Sequence, residues 1–180
     1  VLRLIDQSRR NERLGVATFY LSDRDVIDAL KRAAQRGVAL RLLLDANKDA
    51  FGNPKFGIPN RSVAWELREV GIELRWVHTH GEQCHTKMLL HENMSGEAMI
   101  LLGSANLTRR NLDNFNLETN VLVRTDAMSP VFKDAKFHFD LLWYNQPGKV
   151  FSVPYDHYKS ESVIKKVLSR VMEASGFSTF

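Results

Sequence analysis

Hydrophobic residues are nearly continuous over residues 38–44, where Arg41 is the only charge. A run of this length and composition is typical of a central strand that is buried on both faces of a sheet. Just before it, the apolar residues of 26–34 recur at helical spacing, and the Ser-Asp-Arg-Asp sequence at 22–25 resembles a capping box. We expect this helix to end at Gly37, which suits the left-handed C-terminal position. The pattern therefore predicts a helix followed by a buried strand.

Helical spacing and strand-length runs of apolar residues predict elements over most of the remaining chain. Further strands are predicted at residues 16–21, 72–77, 86–90, 98–102 and 117–124, and further helices at 1–14, 62–70 and 130–144. Residues 45–60 are rich in glycine, proline and asparagine and predict a long loop, of the kind that lines a substrate entrance. Elements in this order predict an α/β fold with a mixed β-sheet flanked by helices.

The chain divides into a main domain and a short C-terminal segment. Its 180 residues suit one domain with an appendage, and we place that domain at residues 1–145. Residues 146–180 are expected to form a loop and an amphipathic helix at 161–174, packed on the same domain or on a partner half. The apolar stripe of such a helix is also suited to peripheral contact with a membrane.

Composition and charge narrow the class of protein. The hydrophobic fraction of 44% is ordinary for a domain with a core, and no apolar run reaches the length of a membrane span. With no signal or membrane span in the sequence, we expect a cytoplasmic chain or one peripheral to a membrane, and the compartment stays open. The net charge of +4 fits an anionic substrate without requiring one. Cys84 is the only cysteine, so nothing indicates an oxidising compartment.

His85 and Lys87 are the first residues with clear chemical potential. Residues two apart on a strand share a face, so the strand predicted at 86–90 places both side chains on one side of the sheet. The lysine supplies a compact positive charge, and the imidazole can act as a nucleophile, acid or base near neutral pH. Together they predict a site for an anion such as a phosphate ester.

A second polar group follows the strand predicted at 98–102. Gly103 allows a tight turn, and Ser104 and Asn106 then offer a hydroxyl and an amide to phosphate oxygens. Glu118 lies on the pairing strand, where it is placed to meet the His85 ring. A carboxylate there would fix the tautomer of the imidazole and stabilise the imidazolium.

These residues resemble the His-x-Lys-x4-Asp signature and the trailing Gly-Ser-x-Asn of the phospholipase D superfamily. The helix and strand at residues 30–44 are similar to those of cardiolipin synthase-like members, and the resemblance covers residues 1–144. It implies an enzyme that cleaves or transfers phosphodiesters through a phosphohistidine intermediate. Phospholipid is the substrate that the resemblance favours, and nucleic acid is the alternative.

The resemblance also assigns roles to single residues. His85 is the implied nucleophile or acid/base catalyst, and Glu118 is the implied carboxylate that orients it. The implied phosphate clamp consists of Lys87, Ser104 and Asn106. No metal or cofactor is implied. Because the motif is present once, the resemblance implies a second motif-bearing half, either in a homodimer or in a longer two-motif chain.

Two features depart from the family pattern. Glu92 stands where the pattern has an aspartate, and we interpret it as structural support at the strand end, together with Gly103. The connection from Glu92 to Leu102 is longer than the usual spacing, which indicates a hairpin insertion. Neither departure changes the histidine, lysine or asparagine of the motif.

Three other functions stay open at this point. A nuclease would use the same site, but the basic residues are interleaved with acids rather than gathered into a stripe. A non-catalytic half or assembly domain would leave the chemistry to its partner. The third is a zinc site in a cluster that comprises His78, His80, Cys84, His85 and His91. Lys87 lies inside this cluster and would repel a cation.

Overall fold

A seven-stranded mixed sheet forms the centre of the fold. The computed structural model describes residues 1–47, 49–50, 53–54 and 59–158. The strands are β1 (Arg13–Thr18), β2 (Ala39–Asp45), β3 (Asp49–Ala50), β4 (Asn53–Pro54), β5 (Glu73–Val77), β6 (Lys87–Glu92), β7 (Glu97–Gly103), β8 (Asn120–Asp126) and β9 (Ser152–Pro154). The helices are α1 (Leu2–Gln7), α2 (Arg24–Gln35), α3 (Asn60–Glu69), α4 (Arg109–Leu112) and α5 (Pro130–Tyr144), with a 3-10 turn at Tyr155–His157. The predicted α/β class is confirmed.

Three parallel strands lie at the middle of the sheet, whose order is β8-β7-β6-β1-β2-β5-β9. β2 pairs in parallel with both β1 and β5, which fits its nearly continuous apolar sequence. β6 runs antiparallel to β1, and β7 and β8 continue as an antiparallel meander to one edge. The short strands β3 and β4 pair with each other inside the predicted loop at 45–60.

Helices cover both faces of the sheet and bury two apolar cores. Successive residues of β2 alternate between the cores, with Leu42 and Leu44 on one side and Leu43 on the other. The first core is covered by α1, α2 and α3, and the second by α5. Each fully buried aliphatic or aromatic side chain stabilises the fold by roughly 1.5–3 kcal/mol. The two cores therefore hold the sheet, and the edge that carries the polar residues, in one arrangement.

Helix α2 begins and ends close to the predicted positions. Its N-cap is Asp23, whose Oδ1 accepts the backbone N–H of Val26 at 2.9 Å. The capping residue is thus the aspartate and not the preceding hydroxyl of Ser22 that a capping box would use. At the other end Gly37 has a φ of +85°, a conformation that glycine adopts at little cost.

The N-terminal region differs from the prediction. A helix was expected over residues 1–14, but α1 ends at Gln7 and β1 already begins at Arg13. Asn11 has a φ of 69°, which is incompatible with a continuing right-handed helix. The Glu12 carboxylate accepts the backbone N–H of Arg9 at 2.9 Å and so holds the turn. The first strand consequently starts three residues before its predicted position at 16.

The segment after residue 145 adds a strand that the sequence pattern did not predict. β9 pairs antiparallel with β5, with Val153 opposite Trp76. Asn145 supports it, because its Oδ1 accepts the backbone N–H groups of Phe151 and Ser152 at 2.8 and 2.9 Å. The helix expected at 161–174 lies outside the described residues, as does the membrane contact expected of it. Across the described ranges, no helix is long and apolar enough to span a membrane.

Candidate active site

His85 lies in the segment that leads into β6, beside the carboxyl end of β1. A strand was predicted from residue 86, but β6 begins at Lys87, so the histidine precedes the strand by two residues. Phe19, just past β1, donates its backbone N–H to the Thr86 carbonyl oxygen at 3.0 Å. The ring centroids of Phe19 and His85 are 5.1 Å apart. His85 is nevertheless exposed, so the imidazole has one aromatic support and remains accessible to a substrate.

Lys87 is buried in the first position of β6, with 9% of its surface exposed. Its Nζ donates to the His85 carbonyl oxygen at 3.0 Å and lies 5.6 Å from the centroid of the Phe19 ring. Burial lowers the pKa of the Lys87 ammonium, and the charge of the Glu118 carboxylate opposes that change. A positive charge is therefore held, with little solvent around it, directly beside the histidine.

The pKa of His85 is held below its ordinary value, first by partial burial and second by the positive charge of Lys87. Both effects favour the neutral imidazole. A neutral nitrogen carries the lone pair that a nucleophile needs. The same lysine charge would attract an anionic ligand, so one residue favours both the neutral form of His85 and the binding of an anion beside it.

Ser104 and Glu118 form the second polar group of the site. Ser104 Oγ donates to Glu118 Oε2 at 2.5 Å and accepts the backbone N–H of Thr119 at 3.0 Å. The other Glu118 oxygen accepts from the side-chain amide of Asn111. The serine hydroxyl is thereby fixed in place next to the end of β7.

The predicted contact between Glu118 and the His85 ring does not occur: among the described residues no hydrogen bond or ion pair joins the two side chains. The pattern placed Glu118 within a strand, but β8 begins only at Asn120. The carboxylate is instead bonded by Ser104 and Asn111. Glu118 influences the motif through its charge, which acts on Lys87.

Gly103 is required by the close packing of β7 against β8. A Cβ atom at this position would lie 1.9 Å from Asn120 Oδ1 and 2.5 Å from the Thr119 carbonyl oxygen. The sequence predicted a glycine that allows a tight turn, whereas the structure shows one that allows the neighbouring strand to approach. Nearby, Asn106 Oδ1 is buried and has no hydrogen-bond partner within the described ranges. Asn106 therefore retains hydrogen-bonding capacity.

A small, mostly apolar cavity lies between Lys87 and Gly103. Met88 pairs with Leu102 across β6 and β7, so Lys87 lies next to Gly103. The cavity between them has a volume of about 20 Å³, enough for roughly one water molecule. Its lining includes Thr18 and Asn120 in addition to the lysine and glycine. Within the described ranges, the polar groups of the site lie along the edge where β6 begins and β7 ends.

Sequence reasoning missed a buried polar group behind His85. It consists of Asp45, Asn47 and Asn60, and Asp45 Oδ2 accepts the backbone N–H of Cys84 at 2.8 Å. One feature of the sequence could have indicated this group: Asp45 ends a buried parallel strand, and ligand sites in α/β sheets occur at the carboxyl ends of strands. No feature of the sequence indicated that Phe19 would pack against His85.

The residues considered as a zinc site do not converge. His91 is buried at the far end of β6, where its Nε2 lies 2.8 Å from Glu12 Oε2. His78 and His80 contact each other, with ring centroids 4.5 Å apart. In the part of the chain that the structure describes, no three His, Cys, Asp or Glu side chains form a group that could hold a metal ion. The geometry therefore gives the zinc hypothesis no support.

Glu92 lies at the opposite end of β6 from His85. It pairs with Arg13 across β1 and β6, and the guanidinium comes within 3.4 Å of the carboxylate. Next to it, the turn of the hairpin is held by Asn93, whose Oδ1 accepts the backbone N–H groups of Ser95 and Glu97. This place is remote from the polar groups and is the one expected for a supporting residue at a strand end.

A family model described as cardiolipin synthase, PLD-like domain, matches residues 1–143 of the chain. The match covers all of the polar residues of the candidate site, and it ends within α5. None of the curated proteins compared with the chain matches it.

Three solved structures illustrate the fold that the chain shares. Nuc from Salmonella typhimurium, a phospholipase D family member, is 21% identical, covering 79% of this chain and 84% of its own, with a TM-score of 0.57. Phosphatidylserine synthase from Haemophilus influenzae is 14% identical, covering 97% and 42%, with a TM-score of 0.66. Yeast tyrosyl-DNA phosphodiesterase 1 is 16% identical, covering 93% and 36%, with a TM-score of 0.50. The chain therefore spans less than half of the last two proteins.

Proposed function

The chain belongs to the family of cardiolipin synthase, PLD-like domains, and from this premise we propose that it cleaves or transfers phosphodiesters with His85 as the nucleophile. Members of the superfamily are phosphodiesterases or phosphatidyltransferases. The observation that carries the proposal is the pairing of an accessible imidazole with a buried ammonium. Lys87 Nζ lies 3.0 Å from the His85 carbonyl oxygen, and the lysine charge helps to keep the imidazole neutral.

The proposed reaction has two displacements. A neutral nitrogen of His85 attacks phosphorus, and the bond from phosphorus to the leaving oxygen breaks, which gives a phosphohistidine. The leaving oxygen takes a proton from a second imidazole. That imidazole then removes the proton from water or an acceptor alcohol, whose oxygen attacks phosphorus and breaks the bond to His85. Covalent catalysis of this kind divides one difficult step into two easier ones.

We propose Lys87, Ser104 and Asn106 as the groups that stabilise charge on the phosphate oxygens. Donors that are fixed in advance act most strongly in such a site, and loss of one costs about 10²–10³ in rate. Glu118 fixes the Ser104 hydroxyl by accepting its hydrogen bond, with 2.5 Å between Ser104 Oγ and Glu118 Oε2. Binding of a phosphate through this serine requires the hydroxyl proton to turn from the carboxylate towards the ligand.

The second imidazole is proposed to come from another motif-bearing half, because this chain carries the motif once. An exposed apolar surface beside Glu118 supports this. We call it the rim surface, and it consists of Leu102, Phe115, Leu117 and Val121, which are 42%, 66%, 100% and 57% exposed. Apolar groups gathered next to a polar site are typical of an interaction surface. We propose that the rim surface receives either a second copy of the chain or the other half of a longer protein.

The proposal is tested by measuring hydrolysis of bis(para-nitrophenyl) phosphate in EDTA. The proteins compared are wild type, His85→Ala and the control His138→Ala. His138 is an exposed residue of α5 and has no part in the site. We expect EDTA-resistant activity in wild type and the control, and none above background in His85→Ala. Equal activity in all three proteins would contradict the assignment of His85. A folded wild type that is inactive at every concentration would favour the alternative of a non-catalytic half.

Phospholipid is the substrate class that we propose, and nucleic acid is the second candidate. The family description favours the lipid, while one of the similar structures is a DNA phosphodiesterase. The two are separated by the dependence of binding on salt. Each phosphate contact with a nucleic acid releases counterions, so binding of single-stranded DNA weakens steeply as salt rises. We expect only weak, strongly salt-dependent DNA binding, and turnover of phospholipid vesicles in preference to DNA.

A further inference from the structure

We infer that Asp45, Asn47 and Asn60 form a positioning hub that holds His85 in place for its attack on phosphorus. The inference rests on the proposed function, since it assigns these residues a task in the same site. Asp45 is the last residue of β2, Asn47 follows two residues later, and Asn60 is the first residue of α3. They are only 2%, 3% and 0% exposed. A substrate at the sheet edge would therefore meet the groups that they hold and not the hub itself.

The hub fixes the backbone just before the histidine. Asp45 Oδ2 accepts the backbone N–H of Cys84, the residue that precedes His85, at 2.8 Å. Its Oδ1 is held in turn by Asn47, whose backbone N–H and side-chain amide donate at 2.6 and 3.2 Å. The aspartate thus has little freedom to move, and its second oxygen ties the segment carrying His85 to the end of a central strand.

The hub also fixes the ring against which the imidazole packs. The side-chain amides of Asn47 and Asn60 both donate to the Phe19 carbonyl oxygen, at 3.1 and 2.7 Å. Asn60 also accepts the backbone N–H of Leu21 at 2.7 Å, so the chain is held on both sides of Tyr20. The Phe19 ring lies 5.1 Å from the His85 ring and 5.6 Å from Lys87 Nζ.

The two attachments meet at one residue. The hub bonds the backbone next to His85 and also bonds the backbone of Phe19, whose ring packs against the imidazole. Such a network is costly to bury, and it fixes one arrangement only when every member is bonded. A nucleophile needs this precision, because a displacement of about 1 Å can lower a rate about 10²-fold.

The test compares Asp45→Asn with Glu12→Gln as a matched control. Glu12 is also a buried carboxylate that accepts a backbone N–H, from Arg9 at 2.9 Å, but it lies at the other end of β1. An amide at position 45 has one acceptor oxygen, so at least one N–H in the hub loses its partner. The measurements are kcat and KM for bis(para-nitrophenyl) phosphate in EDTA, thermal unfolding, and the NMR signals of the His85 imidazole.

We expect Asp45→Asn to lower kcat about 10–100-fold, with a much smaller change in KM, and to shift the His85 signals. Glu12→Gln is expected to lower the unfolding temperature but to leave kcat within about twofold and the His85 signals in place, because the site is distant. Unchanged kcat and His85 signals in a folded Asp45→Asn protein would overturn the inference.

A second variant covers the case in which Asp45→Asn does not fold. Residue 47 has a φ of 48°, a conformation that glycine adopts at little cost. Asn47→Gly removes one of the two donors to the Phe19 carbonyl oxygen, together with the side-chain bonds to Asp45 Oδ1 and to the Asn60 N–H, while the backbone N–H of residue 47 still bonds Asp45. It should fold, lower kcat several-fold and shift the His85 signals, and no change in either would overturn the inference. If wild type is inactive, the chain is not an enzyme without another half, and the NMR signals alone then decide whether the hub positions His85.

Discussion

The chemistry of His85 depends on a lysine that acts on it in two ways. The positive charge of Lys87 disfavours protonation of the imidazole, which adds to the effect of burial and lowers the histidine pKa. The same charge is proposed to bind the substrate phosphate. Lys87 can serve both purposes because its Nζ is anchored on the His85 backbone, 3.0 Å from the carbonyl oxygen, and not on an acidic side chain.

Lys87→Met is therefore expected to raise the pKa of His85, because the nearby positive charge is lost while the burial remains. Since the neutral imidazole is the proposed nucleophile, activity is expected to rise with pH through this pKa, and the midpoint should move to higher pH in the variant. The kcat should also fall about 10²–10³-fold from loss of a phosphate donor. An NMR titration of His85 measures the first effect independently of the second.

The control for this substitution is Lys133→Met, which removes a lysine that is exposed on α5. It should leave both the His85 titration and kcat unchanged. A His85 pKa that is the same or lower in Lys87→Met than in wild type would contradict the electrostatic account.

At the scale of elements, the site depends on how closely β6, β7 and β8 lie together. Lys87 opens β6, Gly103 closes β7, and Asn120 opens β8, so three strand ends meet at one point. Their approach brings the lysine next to the Gly103–Ser104 turn. A side chain at position 103 would push β8 away, and with it the Glu118 carboxylate that holds Ser104.

Gly103→Ala is expected to destabilise the fold by more than about 3 kcal/mol, the upper end for ordinary overpacking. The new Cβ would meet a backbone carbonyl oxygen at 2.5 Å, which cannot rotate away. Gly15→Ala is the matched control within a strand, because the three atoms nearest to its Cβ all belong to the Phe139 ring, the closest at 3.2 Å. Its cost should be about 1–3 kcal/mol. Urea unfolding measures both, and equal costs would contradict the packing argument.

The sequence predicted the elements that depend on local signals. β2 and α2 were evident because their apolar periodicities and end residues lie within the elements themselves. The turn at Asn11 was missed because an asparagine in the sequence does not by itself indicate a positive φ. β9 was missed because three residues are too few to show an alternation.

The motif residues of the site were visible in sequence, but their supports were not. His85 and Lys87 form a recognisable short pattern. The Asp45 carboxylate bonds Cys84, which lies 39 residues away in the chain, and no local pattern announces such a contact. Glu118 shows that local alternation can also predict a contact that does not form. The alternation placed Glu118 next to His85, whereas Glu118 lies in the loop before β8 and bonds Ser104 and Asn111.

At the scale of the whole molecule, the account requires a second half. The chain spans 42% of the phosphatidylserine synthase that shares its fold and 84% of Nuc. The rim surface presents exposed apolar side chains from β7, from β8 and from the loop that precedes β8. We propose that burial of the rim surface both joins the halves and brings the two imidazoles together.

If two copies of the chain share a site, specific activity should rise with protein concentration. Leu117→Glu should shift that rise to a concentration at least about tenfold higher, because burying a charge in an apolar contact is costly. Leu117 is fully exposed, so the folded chain should tolerate the change. Met128→Glu is the control, since Met128 is 69% exposed and lies beyond the far end of β8. Sedimentation measures association directly. Specific activity that is independent of concentration, in a monomer that is fully active, would contradict the need for a second half.

The central claim is that phosphorus becomes bonded to His85 during turnover. The most direct test is to quench the reaction with a phosphodiester substrate during the first turnover and map the mass added to the protein by peptide mass spectrometry. The account predicts an adduct at His85 in wild type and in Lys133→Met, and none in His85→Ala. Turnover without any adduct, or an adduct that persists in His85→Ala, would contradict it.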